Sequence, residues 1–170
     1  MTEQAFIDEV LPHQDKIYRL ARNYLSDADS QDVVQETMVR LWQKRHELPG
    51  YRSIQALAIV IARNMCLDKV KAKSYQNSSL NNIAEPATMH TPASALETKD
   101  EAALAHSLIS RLPEQQRIIV HLRDVEGLEY EEIAAVVKMN VNTIRVNLSR
   151  ARKTLREAII KQHNYAYNGS

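Results

Sequence analysis

Glu131-Glu132-Ile133-Ala134-Ala135-Val136-Val137, Lys138-Met139-Asn140, and then Val141-Asn142-Thr143-Ile144-Arg145-Val146-Asn147-Leu148-Ser149-Arg150 read as a short amphipathic helix, a turn and the start of a longer basic helix running to Ile160. Ile133, Ala134 and Val137 share one face of the first segment, and Ile144 and Leu148 share one face of the second, so the two helices are expected to pack through these side chains. This is the helix-turn-helix layout, in which the second helix lies in the major groove and its first residues touch base edges. Arg145, Asn147, Ser149 and Arg150 project from the remaining faces. Arg and Asn bond guanine and adenine edges bidentately. Arg152, Lys153 and Arg156 lie further along, where a helix leaves the groove and meets phosphates instead. A helical hairpin with a merely solvated basic face has the same pattern.

Working outward, the chain has few residues that break helices. Its 170 residues include three glycines and five prolines, and the periodic stretches are rich in Ala, Leu, Glu, Arg and Gln, which predicts an all-α protein. The net charge of +1 hides a strong pattern. Residues 1–36 carry eight acids and three bases, while residues 40–73 carry eight bases and two acids. Residues 114–132 hold six acids and two bases, and residues 141–161 hold six bases and one acid. Two acidic-then-basic blocks suggest two modules, each with a protein-facing and a polyanion-facing surface; ordinary solvated helix faces are the alternative.

Residues 74–99 are rich in Ser, Asn, Thr and Ala, contain Pro86 and Pro92, and carry little charge. Such a run buries little apolar surface and reads as a flexible linker between small helical domains over residues 1–73 and 100–165. In the first domain Phe6, Val10, Ile17, Leu20, Ala21 and Tyr24 fall at helical spacing around Pro12. Asp29 or Ser30 can cap the next helix, whose Val34, Met38, Leu41 and Trp42 form the expected core stripe. Asp32, Gln35, Glu36 and Val39 lie on the opposite face. After Pro49-Gly50, Ser53 can cap a third helix with Ile54, Ala58, Ile61 and Met65 on one side. In the second domain Leu104, Leu108 and Ile109 share a helix, Pro113 opens another with Ile118, Ile119 and Leu122, and Gly127 interrupts the chain before the last pair.

The motifs resemble a known family. Leu112-Pro113, Gly127-Leu128-Glu129-Tyr130-Glu131-Glu132-Ile133-Ala134, Asn142-Thr143-Ile144-Arg145 and Ser149-Arg150-Ala151-Arg152 resemble the −35-binding domain of bacterial extracytoplasmic-function sigma factors. The resemblance implies that Asn142, Thr143, Arg145, Val146, Asn147, Ser149, Arg150 and Lys153 meet −35 DNA. Asp29 to Glu36, followed by Arg40-Leu41-Trp42, resembles the family's polymerase-gripping helix, which implies docking through Asp32, Gln35, Glu36 and Val39 on a coiled coil of the largest subunit. Ile61 to Asp68 and the Pro49 to Ser53 loop resemble the parts that recognise and melt the −10 element. Melting needs basic side chains along the backbone and a pocket for a flipped base. Tyr51, Arg52, Arg63, Asn64, Lys69 and Lys71, with Lys73, are the corresponding residues here.

The chain departs from the family pattern at several positions. The family usually has Gly at Lys138 and Asn142, Ser at Val146 and Arg at Asn147; often it has Trp at Leu57 and a base at Val60. Helices commonly stop at a left-handed Gly or Asn, so Asn140 is a candidate for that role in the turn.

The resemblance implies a sigma factor that binds core RNA polymerase and promoter DNA, with an anti-sigma factor as a further partner. Two alternatives are a helix-turn-helix regulator acting without polymerase and a sigma-like decoy for anti-sigma proteins. Enzyme chemistry finds no support: the six histidines are scattered, Glu131 and Glu132 point to different helix faces, and no glycine-rich phosphate loop, metal motif or cofactor motif occurs. Cys66 is the single cysteine and is expected to be a small buried side chain. No apolar run is long enough to span a bilayer, and the acidic N-terminus is unlike a secretory signal, so the chain reads as cytoplasmic.

Overall fold

The computed structural model describes the backbone of residues 1–80 and 97–169 and the side chains of residues 1–77 and 101–169. The chain divides into two compact units, Met1–His90 and Thr91–Ser170, and the described residues of both are helical with no strand.

The first unit contains α1 (Glu3–Glu9), a 3₁₀ turn at Leu11–His13, α2 (Gln14–Ala21), α3 (Asp27–Gln43), a 3₁₀ turn at Leu48–Gly50 and α4 (Ile54–Leu80). Pro12 produces the expected break, because a proline cannot donate to the preceding turn. Helices α2, α3 and α4 pack against one another around Ile17, Leu20, Val33, Leu41, Ala58, Ile59 and Ala62, all fully buried, and Phe6, Val10 and Leu48 complete the core.

Two details of α3 differ from expectation. It starts at Asp27, with Ser26 as its cap: the Ser26 hydroxyl accepts from the Asp29 N–H at 3.3 Å and donates to Asp29 Oδ2 at 3.2 Å. Neither Asp29 nor Ser30 is the cap, and Ser30 is buried inside the helix. The inward stripe is Ser30, Val33, Thr37 and Leu41 with Met38, whereas Val34 is half-buried and Trp42 is exposed. Small polar side chains at residues 30 and 37 occupy the packed face.

Ser53 caps α4 as expected, its hydroxyl accepting from the Ala56 N–H at 3.1 Å. The buried face of α4 is Ala58, Ile59, Ala62, Met65 and Cys66. Burial pushes the Cys66 thiol up to about 12, so it is neutral and inert at ordinary pH. Helix α4 continues to Leu80, into the stretch expected as linker, and the next helix begins at Glu97; residues 81–96 of that stretch lie outside the described residues.

The second unit contains α5 (Glu97–Ser110), α6 (Glu114–Val120), a π turn at His121–Val125, α7 (Tyr130–Val137) and α8 (Val141–Asn168). Pro113 precedes α6 as expected, but the α-helix ends at Val120, and Leu122 is buried from the π turn. Gly127 then takes φ +71°, a left-handed conformation that costs glycine little, and Leu128 N–H closes the turn on Leu122 O at 2.9 Å. Ile118, Ile119, Leu122, Leu128, Ile133, Ile144, Leu148 and Ala151 form the core of this unit.

The left-handed residue ending α7 is Lys138 (φ 57°, ψ 44°), and Asn140 instead caps α8 by accepting from Thr143 N–H at 2.8 Å. A non-glycine residue in this conformation costs about 1–2 kcal/mol, offset in part by the greater freedom glycine has in the unfolded chain. Lys138→Gly should therefore stabilise the second unit by roughly 0.5–1 kcal/mol, read as a rise of a few degrees in its thermal midpoint. An unchanged or lower midpoint would mean that the lysine side chain compensates for its backbone.

Candidate nucleic-acid interface

The helix-turn-helix is built from the core outward. Burial of Ile144, Leu148 and Ala151 fixes the roll of α8 and leaves Asn142, Thr143, Arg145, Val146, Ser149, Arg150 and Lys153 exposed. Asn147 is half-buried, and its amide nitrogen donates one hydrogen to Thr143 O at 2.9 Å, leaving its second N–H and its carbonyl oxygen for other contacts. The exposed residues thus lie along the first four turns of one helix, where a major groove would receive them.

Arg145 is not extended into solvent alone: its guanidinium lies 5.0 Å from the Tyr130 ring centre, and Arg123 lies 4.5 Å from the same ring. Arg150 makes no side-chain hydrogen bond or ion pair among the described residues. Arg152, for which a phosphate contact is expected, also has a partner within the protein. Its Nε and Nη2 bind Asp124 Oδ2 and Oδ1 at 3.1 and 2.5 Å, tying α8 to the π turn, and this hydrogen bonding to Asp124 raises its pKa further. Lys153 and Arg156 remain exposed.

In the first unit, the inward stripe of α3 leaves Asp32, Gln35, Glu36 and Val39 together on the exposed side, with Val39 54% exposed. Glu36 pairs with Arg40 one turn on at 2.7 Å, an exposed pair that contributes a few tenths of a kcal/mol. Trp42 was expected in the core. Instead it rests edge-on against Phe6 at 5.0 Å, and the Arg45 guanidinium lies 4.4 Å from its ring, leaving an aromatic surface one turn beyond Val39.

Helix α4 carries Arg63, Lys69, Lys71 and Lys73. Arg63 Nε donates to the Tyr24 hydroxyl at 3.2 Å, which orients it from α2's end of the fold. Asn64 and Lys71 are exposed two turns apart on one face, with Asp68 between them, and Lys69 is half-buried. Lys73 is ion-paired to Asp29 of α3 and holds that carboxyl below its usual pKa range. Tyr51 (42% exposed) and Arg52 precede the helix in an open loop, while Leu57 and Val60 are half-buried. Among the described residues no group of His, Cys, Asp and Glu is placed to hold a metal ion, and no helix is long and apolar enough to cross a membrane.

Comparison with known proteins agrees with both units. The sigma-70 region 2 family matches residues 10–75, and the sigma-70 region 4 family matches residues 102–155. The RNA polymerase sigma-H factor of Pseudomonas aeruginosa is 29% identical over 168 residues, covering 92% of this chain and 87% of that protein. The ECF RNA polymerase sigma-E factor of Salmonella typhimurium is 26% identical over 169 residues, covering 90% and 85%. The sigma factor RpoE of Bartonella quintana, solved in complex with the anti-sigma factor NepR, shares the fold at 23% identity, with a TM-score of 0.75 over 92% of this chain and 97% of that one. The chain belongs to the sigma-70 family and, within it, to the extracytoplasmic-function sigma factors, which direct RNA polymerase to promoters. Sigma factors are non-enzymatic initiation factors.

Proposed function

We propose that the exposed face of α3, with Asp32, Gln35, Glu36 and Val39, docks on core RNA polymerase, while α4 and the first turns of α8 contact two separate promoter elements. The observation that carries this division is the placement of the α3 acids on a face turned away from the core, in the same unit as the basic α4. Asn64 and Tyr51 are suited to meet an unpaired −10 base, and Arg52, Arg63, Lys69 and Lys71 to follow its phosphates. Asn142, Thr143, Arg145, Val146, Asn147, Ser149 and Arg150 form the −35 face, with Lys153 on the backbone. The segment between the units tethers them. The protein works in the cytoplasm, and an anti-sigma factor is its regulatory partner, as NepR partners the Bartonella quintana protein.

The reading is tested by reconstitution with core enzyme, which should co-elute with the chain and initiate on a subset of genomic promoters. A chain that fails to bind core from a matching bacterium while still binding DNA would instead be a simple helix-turn-helix regulator.

Within the holoenzyme, Arg145→Ala or Arg150→Ala should cost about 1–3 kcal/mol on the preferred −35 sequence and relax discrimination at one position. Lys153→Ala should weaken every sequence alike and reduce the salt slope by about one phosphate contact. Uniform losses from both arginine variants would transfer base reading to Asn142 or Asn147.

A further inference from the structure

Tyr130 is the first residue of α7, and the structure holds it from several sides. Its neighbour Glu129 caps the helix in a reciprocal box, the Glu129 N–H donating to Glu132 Oε2 at 2.9 Å. Arg123, 4.5 Å from the Tyr130 ring centre, is itself anchored: its Nη1 donates to Leu128 O at 2.8 Å and lies 3.8 Å from Glu129 Oε2. The ring is therefore a fixed aromatic surface joining the π turn to α7. Onto it, from α8, comes the Arg145 guanidinium at 5.0 Å.

An arginine side chain is long and has many rotamers, and bidentate recognition of a base edge requires one of them. A ring that holds the guanidinium electrostatically narrows that choice before DNA arrives. We infer that Tyr130 is a positioning residue for −35 recognition: it touches no base, and it sets the approach of Arg145 through cation–π contact. The inference rests on the reading that Arg145 meets a base edge. Arg145 and the turn residue Arg123 share the same ring, so the loop before the helix-turn-helix contributes to sequence preference through Tyr130.

The test uses holoenzyme reconstituted from the full chain and core polymerase, with a panel of single-base −35 variants. Arg145→Ala identifies the position that arginine reads. Tyr130→Leu should lower discrimination at that same position by about two- to fivefold, the magnitude expected for an exposed cation–π contact, and leave the other positions unchanged. Tyr130→Phe keeps the ring and should retain discrimination. In an Arg145→Ala background, Tyr130→Leu should have no further effect. Progressively fluorinated phenylalanine at residue 130 preserves shape while draining the ring's negative face, and discrimination should fall stepwise. This series decides the matter even if Tyr130→Leu unfolds the unit.

Equal losses at every −35 position, additive effects in the double variant, or no response to fluorination would overturn the positioning role. If Arg145→Ala itself relaxes no position, the base-reading assignment fails and the positioning role goes with it. If Arg145→Ala relaxes one position and the ring changes do not, only the role of Tyr130 fails.

Discussion

Reversing Asp32 or Glu36 to lysine should weaken binding to core RNA polymerase at least about tenfold, and the double reversal should weaken it further. Each reversal changes the charge of a small exposed face by two, and opposed like charges at an interface cost on the order of kcal/mol. The fold should not feel the change. Both side chains lie on the exposed side of α3, and substitution there usually shifts stability by no more than about 0.5 kcal/mol. Glu36→Lys loses its contact with Arg40 as well, but that pair is solvent-screened. Titration of labelled core enzyme gives the affinity, and circular dichroism gives the helical content. Variants that bind core like the parent chain would reduce the acidic face to solvated surface and move the search for the docking residues to Val39 and Trp42.

Ile144→Ala should have the largest effect on stability, destabilising the second unit by about 2–5 kcal/mol. Ile144 is fully buried near the start of α8, which packs on both α6 and α7, and that packing sets the angle at which the exposed residues leave the core. A loss of this size consumes much of the stability of a small domain. Promoter binding through the −35 element should then fail for all sequences together, in contrast to the single-position relaxation expected of Arg145→Ala. Denaturant unfolding followed by −35 binding checks both halves. A midpoint within experimental reach of the parent protein would mean that the surrounding core side chains close the cavity.

Much of this architecture is visible in the sequence because long stretches obey one period. Ile133, Val137, Ile144 and Leu148 fall inward as helical spacing requires, and their burial turns Arg145, Val146, Ser149 and Arg150 outward without further information. Helix α3 is harder, because Val33, Val34, Met38, Val39, Leu41 and Trp42 supply apolar residues on more than one side. The packed stripe contains Ser30 and Thr37, which carry no apolar signal, so the apolar pattern alone points Trp42 inward. The start of α3 did carry a usable signal: Ser26 followed three residues later by Asp29 is the spacing of a reciprocal cap. At the turn before α8, composition favoured Asn140 as the left-handed residue. Asn140 was needed to cap the next helix, and Lys138 took the strained conformation instead. The platform at Tyr130 and the clamp on Arg152 depend on contacts between elements, which no local period encodes.

That clamp alters how the basic helix meets a polyanion. Binding of a cationic protein to a duplex is driven largely by the small ions it sets free, one for each phosphate it neutralises. Asp124 engages Nε and Nη2 of Arg152, so this guanidinium arrives with a counter-charge beside it and its expected share of ion release is reduced. The six basic residues of 141–161 therefore overstate the pull of α8 on arbitrary DNA. With fewer effective charges, residence on the bulk of a genome shortens, and a larger share of the holoenzyme stays available to search for promoters.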